Sequence, residues 1–160
     1  MGQVGYHAAS FIQRKGGIIT TIIEKDASLY HPDGLDVDEV MEYKRAHNEI
    51  LNFPNATDST VYPEEYLSNE VDCVILASVE RVINKTNARK LNCKMIVEGG
   101  NGPITFHADQ ILRAKNIQVC PDILMSAGGI AASYFEWINC LQQITPNIYL
   151  PLKNLEKTQL

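Results

Sequence analysis

The chain has 160 residues, enough for one domain with a core of its own. Apolar residues make up 45% and charged residues 21%, the balance of a globular chain and not of a disordered one. A formal charge of −5 with no basic stripe argues against a nucleic-acid or membrane surface, and no apolar run has the length of a membrane span.

In chain order, residues 4–15 ("VGYHAASFIQRK") set Val4, Ala8, Phe11 and Ile12 on one helical face, and Gly16-Gly17 ends the run. The β-branched stretch 18–26 ("IITTIIEKD") predicts a strand covered on both sides. Residues 31–36 ("HPDGLD") are turn chemistry, and 36–51 a helix in which Asp36 and Glu39 fit a capping box. A loop over 52–70 holds a short strand at 59–62 and one helical turn after Pro63. Next come a buried strand at 71–78, a short helix at 84–91 and a strand at 93–102 that runs into glycines. Helix 107–116, strand 117–122 and helix 127–143 follow; from 144 to 160 no period is visible, which predicts an irregular tail.

Strands alternating with helices require crossovers, so the expected class is α/β with a doubly wound, mostly parallel sheet. Ligands of such sheets sit at the carboxyl ends of the strands. The loops 24–28, 77–81, 98–105 and 121–129 each follow a strand directly.

Three of these regions carry candidate chemistry. Gly2-x-x-Gly5 before a helix has the look of a phosphate turn, although many ordinary helices also start near glycine. Glu24 lies 19 residues beyond Gly5 at a strand end, where a dinucleotide fold keeps the acid that holds the adenosine ribose. Its charge disfavours a 2′-phosphate, and Lys25 beside it softens that preference. In "EGGNGPIT" (98–105) the glycines permit close backbone approach, and Asn101 offers a donor and an acceptor suited to a carboxamide. In "AGGIAASYFEW" (127–137) a glycine pair precedes Ser133 by about a turn, as on a carboxylate-facing surface, while the aromatic cluster reads as packing. Cys73, Cys93, Cys120 and Cys140 include no Cys-x-x-Cys pair and read as free thiols of a reducing compartment. His7, His31, His47 and His107 lack ligand spacing, so no metal site is expected.

Six stretches, "GQVGYHAA" (2–9), "YHPDGLDVDEVMEYK" (30–44), "ILNFPNA" (50–56), "VEGGNGPIT" (97–105), "ADQILRAKNIQVCPDIL" (108–124) and "AGGIAASYFEW" (127–137), together carry a family likeness. In order and spacing they resemble the C-terminal nucleotide-binding domain of glutamate dehydrogenases, in the Glu/Leu/Phe/Val dehydrogenase superfamily. The resemblance implies a Rossmann-like domain over 1–143 and reversible oxidative deamination of L-glutamate to 2-oxoglutarate and ammonia. NAD is the implied cofactor, with NADP possible, and a homo-oligomer, hexameric in the family, the implied assembly. Gly2, Gln3, Val4 and Gly5 would face the pyrophosphate, and Glu24 the adenosine ribose. Ala77 and Ser78 would line the cofactor cleft, Asn101 would bind the nicotinamide side, and Ser133 the distal carboxylate of glutamate.

There are departures. The family's first strand and first motif glycine are not matched, Ser126 stands where the family has asparagine, and Leu76 and Ser78 replace a proline and an alanine. The substrate domain, with its catalytic lysine and aspartate, is also unmatched, so the expectation is a partial enzyme, truncated at both ends and inactive alone. A non-catalytic, free-standing nucleotide-binding or subunit-interaction domain is the alternative. The compartment follows the host: mitochondrial matrix in a eukaryote, otherwise cytoplasm.

Overall fold

A computed structural model of the chain describes residues 2–62 and 64–142. It opens with helix α1 (Gln3–Arg14), which leads through Gly16 to strand β1 (Thr21–Ile23). Strand β1 pairs antiparallel with β2 (Ser28–Tyr30), and β2 pairs antiparallel with β3 (Asp58–Thr60). Between β2 and β3 runs helix α2 (Val37–His47). A 3-10 turn (Glu65–Ser68) then leads to the second sheet. There β4 (Glu70–Ile75), β5 (Asn92–Val97) and β6 (Gln118–Cys120) pair in parallel, in that order. Helix α3 (Phe106–Ala114) crosses from β5 to β6, and α4 (Asp122–Met125) and α5 (Ala127–Gln142) follow β6.

The α/β class and the parallel, crossover-connected sheet agree with expectation. Each sheet has its own core. Ile22, Leu29, Leu35, Val40, Ile50 and Phe53 fill the space between the first sheet and α2. Leu76, Ile83, Leu91, Ile96, Leu112 and Ile117 lie between the second sheet and α3. Burial of this kind contributes about 1.5–3 kcal/mol per large side chain. Helix α1 is tied to the first half: the Gln13 side chain donates to Leu35 O (3.1 Å) and accepts from Val37 N (3.2 Å).

Local differences have local causes. The run 18–26 is shorter than expected because the chain reverses at Lys25-Asp26, with Glu24 N donating to Ala27 O at 2.8 Å, and returns as β2. Residues 84–91 form turns and not a helix. Asn84 Oδ1 accepts from Thr86 N (2.8 Å) and Asn87 Oδ1 from Asn84 N (2.8 Å), the reciprocal bonding of a helix start, but the turns that follow do not extend into a regular helix. Asp36 caps α2, accepting from Asp38 N and Glu39 N at 2.9 and 3.1 Å. The box is not closed, since Glu39 instead accepts from Asn55 Nδ2 at 2.8 Å. The apolar positions Val4 and Phe11 of α1 remain 53% and 55% exposed, while Ser10 is buried. No strand among the described residues pairs with the outer edge of β1 or of β4. The expected tail, 144–160, lies outside the described residues.

The described thiols are free. Cys73 and Cys93 are half-buried in β4 and β5, and burial raises both above the usual thiol range, whereas Cys140 is exposed on α5. Iodoacetamide at neutral pH therefore labels Cys140 ahead of Cys73 and Cys93. Peptide mapping that finds all three modified at one rate would contradict the placement of the first two.

Candidate functional site

The loops at the carboxyl ends of β4 and β5 form one sewn unit. Leu76 N donates to Val97 O (2.8 Å), Gly100 N to Leu76 O (2.8 Å) and Arg81 N to Gly102 O (2.9 Å). Ile83 and Ile104 then make a parallel bridge, and Glu98 N donates to Cys120 O at 3.0 Å, bringing in the end of β6. The glycines allow this closeness. A methyl group on Gly100 would stand 2.3 Å from Ser78 O, and Gly102 turns the chain at φ +53°.

The start of α1 sits against this unit. A Cβ on Gly5 would lie 3.5 Å from Ala77 Cβ, and one on Gly99 3.4 Å from Val4 Cγ1. Gly2 occupies the N-cap in extended backbone, without a capping side chain and with no acid in the first turn. The other long helices with a described cap differ: Asp36 closes α2 and the Thr105 hydroxyl closes α3, and each has acids in its first turn. An uncapped start leaves amide donors and the positive end of the helix dipole facing outward. Gln3 pairs with His7 Nε2 at 3.1 Å, and Asn101 is exposed at the tip of the second loop. The structure thus brings Gly2, Gln3, Val4, Gly5, Ala77, Ser78 and Asn101 to one edge of the parallel sheet.

Glu24 directly follows β1, as expected, and pairs with a cation from another element. Lys44, from the last turns of α2, reaches Glu24 Oε1 at 2.7 Å, with only 29% and 25% of the two side chains exposed. Lys44 is twenty positions away in sequence, and no local pattern marks it. At the start of α2, Asp38 accepts from Tyr6 OH at 2.7 Å, a bond that raises the Tyr6 phenol and ties α2 to the first turn of α1. Ser133 is exposed on α5.

Two further carboxylates were missed. Asp122 Oδ2 accepts from Gly102 N at 2.8 Å, and Asp122 N donates to Glu98 Oε2 at 3.0 Å. Glu98 read simply as part of the glycine loop and Asp122 as a strand end; the four-residue helix α4 has no sequence signal of its own. Among the described residues no group of three or more His, Cys, Asp or Glu could hold a metal ion, and no helix is long and apolar enough to cross a membrane.

The model of the Glutamate/Leucine/Phenylalanine/Valine dehydrogenase family matches residues 1–149. The chain belongs to this family. Within it, the chain is 40% identical over 142 residues to a glutamate dehydrogenase of Thermotoga maritima, covering 88% of this chain and 34% of that protein. It is 41% identical over 138 residues to an NADP-specific glutamate dehydrogenase of Saccharolobus shibatae, covering 86% and 32%. A hetero-hexameric glutamate dehydrogenase of Thermus thermophilus, solved with leucine bound, superposes with a TM-score of 0.85 at 28% identity over 98% of this chain and 36% of its own. The chain spans about a third of the length of the curated relatives it matches.

Proposed function

We propose that this chain is the cofactor-binding portion of a glutamate dehydrogenase, acting in oxidative deamination of L-glutamate to 2-oxoglutarate and ammonia. One observation carries the reading: the uncapped, acid-free start of α1 abuts the two glycine-bearing or small-residue loops that end β4 and β5. That arrangement fits a nicotinamide dinucleotide. Backbone amides of Gln3, Val4 and Gly5 face the pyrophosphate at the helix start, with Gly2 keeping the approach open. Glu24 accepts from the adenosine ribose hydroxyls, and Ala77 and Ser78 form the small-residue floor under the ring. Asn101 pairs with the nicotinamide carboxamide, and Ser133 holds the distal carboxylate of the amino acid.

A nicotinamide nucleotide bound there would supply the acceptor for a hydride from the substrate α-carbon. These residues orient it and hold the ring face open; none of them is assigned a proton-transfer step. Relatives of this chain include NAD-specific and NADP-specific enzymes, so a nicotinamide cofactor is the firm part of the reading and NAD the proposed preference. An oligomeric setting is supported by α5, where Tyr134 and Trp137 are 54% and 58% exposed in a helix with a single charged residue.

The 160-residue chain alone is expected to form no NADH from glutamate and NAD. It is expected to bind NADH weakly, with a Kd of about 1 mM, worth roughly 4 kcal/mol. Saturation-transfer NMR reads binding in this range, and Gly5→Glu, which sets a carboxylate in the first turn of α1, should remove it. Unchanged NADH binding by Gly5→Glu overturns the pyrophosphate role. Submicromolar affinity, or turnover by the chain alone, shows that the missing share of the relatives' length is dispensable.

A further inference from the structure

We infer that Asp122, backed by Glu98, is a positioning residue that fixes the Asn101 loop at the nicotinamide end of the cleft; the inference rests on the cofactor reading above. Asn101 sits between two tethered neighbours. One residue after it, Gly102 has its amide bound by Asp122 Oδ2 at 2.8 Å. Three residues before it, Glu98 receives the Asp122 amide on Oε2 at 3.0 Å. A ring therefore runs from the Glu98 side chain to the Asp122 backbone, through the Asp122 side chain to the Gly102 backbone, and back along the loop through Asn101. The second Asp122 oxygen accepts from Ile123 N at 2.6 Å, which holds the carboxylate plane.

The tethers on the other side of the loop, Gly100 N to Leu76 O and Arg81 N to Gly102 O, are to the end of β4 and the loop after it. Without the Asp122 carboxylate the loop keeps these, its fold, and the Glu98 bonds to Cys120 O and to the backbone amide of residue 122, but the Gly102 amide loses its link to the end of β6. Gly102 needs that link most. At φ +53° it is in the left-handed region, and the turn survives in one geometry only if its donor has a fixed acceptor. A charged acceptor makes this bond stronger than a neutral one. An amide already held in place spends less conformational freedom on binding a carboxamide, so the effect of the clamp falls on the nicotinamide half of the cofactor and not on the adenosine half.

The test compares NADH with ADP-ribose, which lacks the nicotinamide, on the whole chain and its variants. Asp122→Ala is expected to weaken NADH about tenfold and leave ADP-ribose unchanged. The Gly102 amide should exchange with solvent about tenfold faster, with Ile96 and Leu112 amides unaffected. Asp122→Asn keeps an acceptor oxygen and should retain most of the NADH preference. Glu98→Met, which removes only the outer tether, gives a smaller loss in the same direction and serves if Asp122→Ala does not fold. Equal loss of both nucleotides, an unchanged Gly102 exchange rate, or an Asp122→Asn variant as impaired as Asp122→Ala would overturn the positioning role alone. A wild-type chain that binds neither nucleotide overturns the cofactor reading and the positioning role with it.

Discussion

Gly100→Ala should be the most damaging single methyl in the molecule. Its Cβ would meet Ser78 O at 2.3 Å and the Ser78 carbonyl carbon and amide nitrogen at 3.4 Å, all backbone atoms with no rotamer to relieve the clash. The loop cannot simply retreat. Gly100 N is bound to Leu76 O at 2.8 Å and Gly102 O to Arg81 N at 2.9 Å, so any shift that admits the methyl also breaks one of these bonds. Overpacking of a well-packed site costs about 1–3 kcal/mol, and a lost hydrogen bond about 1 kcal/mol more. At this chain length a loss of that size lowers the melting temperature by several degrees. Gly99→Ala is the control: its methyl finds Val4 Cγ1 at 3.4 Å and Ala77 Cβ at 3.7 Å, contacts the neighbours can accept with small shifts. Urea unfolding followed by circular dichroism separates the two. Equal midpoints for Gly99→Ala and Gly100→Ala would mean that the two loops are not in contact as described.

Much of this site is local in sequence, and that part was legible. The parallel strands β4 and β5 read as short apolar runs because both line the core that the second sheet shares with α3. Asp36 announces α2 because capping uses neighbours two and three residues away. Among the glycines singled out, Gly100 marks the close backbone approach, where a methyl would stand 2.3 Å from Ser78 O, while Gly2 has open space around it. What was not legible is whatever depends on a distant partner. Lys44 reaches Glu24 across twenty positions, and Asp122 reaches Gly102 across the same separation. The 84–91 stretch reads as helix and forms turns instead, although Asn84 holds the amides of Thr86 and Asn87 as at a helix start. The opposite discrepancy is informative too. Val4, Phe11, Tyr134 and Trp137 carry an apolar pattern that the described residues leave half exposed. Such a pattern suits burial against a further protein surface.

Cofactor choice should turn on the Glu24–Lys44 pair. Glu24 alone would accept from ribose hydroxyls and repel a 2′-phosphate. With the Lys44 ammonium at 2.7 Å, however, the pair is close to neutral, and the repulsion felt by a phosphate beside it is largely cancelled. Two unit charges about 4 Å apart near a protein surface interact by roughly 4 kcal/mol, so removing one member of a partly buried pair exposes a substantial field. Glu24→Gln removes that carboxylate and keeps the Lys44 ammonium beside the proposed ribose position. The NADPH-to-NADH affinity ratio is then expected to rise by about tenfold or more, equivalent to at least roughly 1.4 kcal/mol. Lys44→Met does the reverse: with the ammonium gone, the Glu24 carboxylate should lower the ratio by about the same factor. The double variant, with neither charge, should fall between the single ones, and its departure from their sum measures the coupling. Titration of both nucleotides at two salt concentrations checks the cause, because an electrostatic origin makes each shift smaller at high salt. A ratio that stays within about twofold in both single variants would place the ribose elsewhere and leave the ion pair a structural tie between β1 and α2.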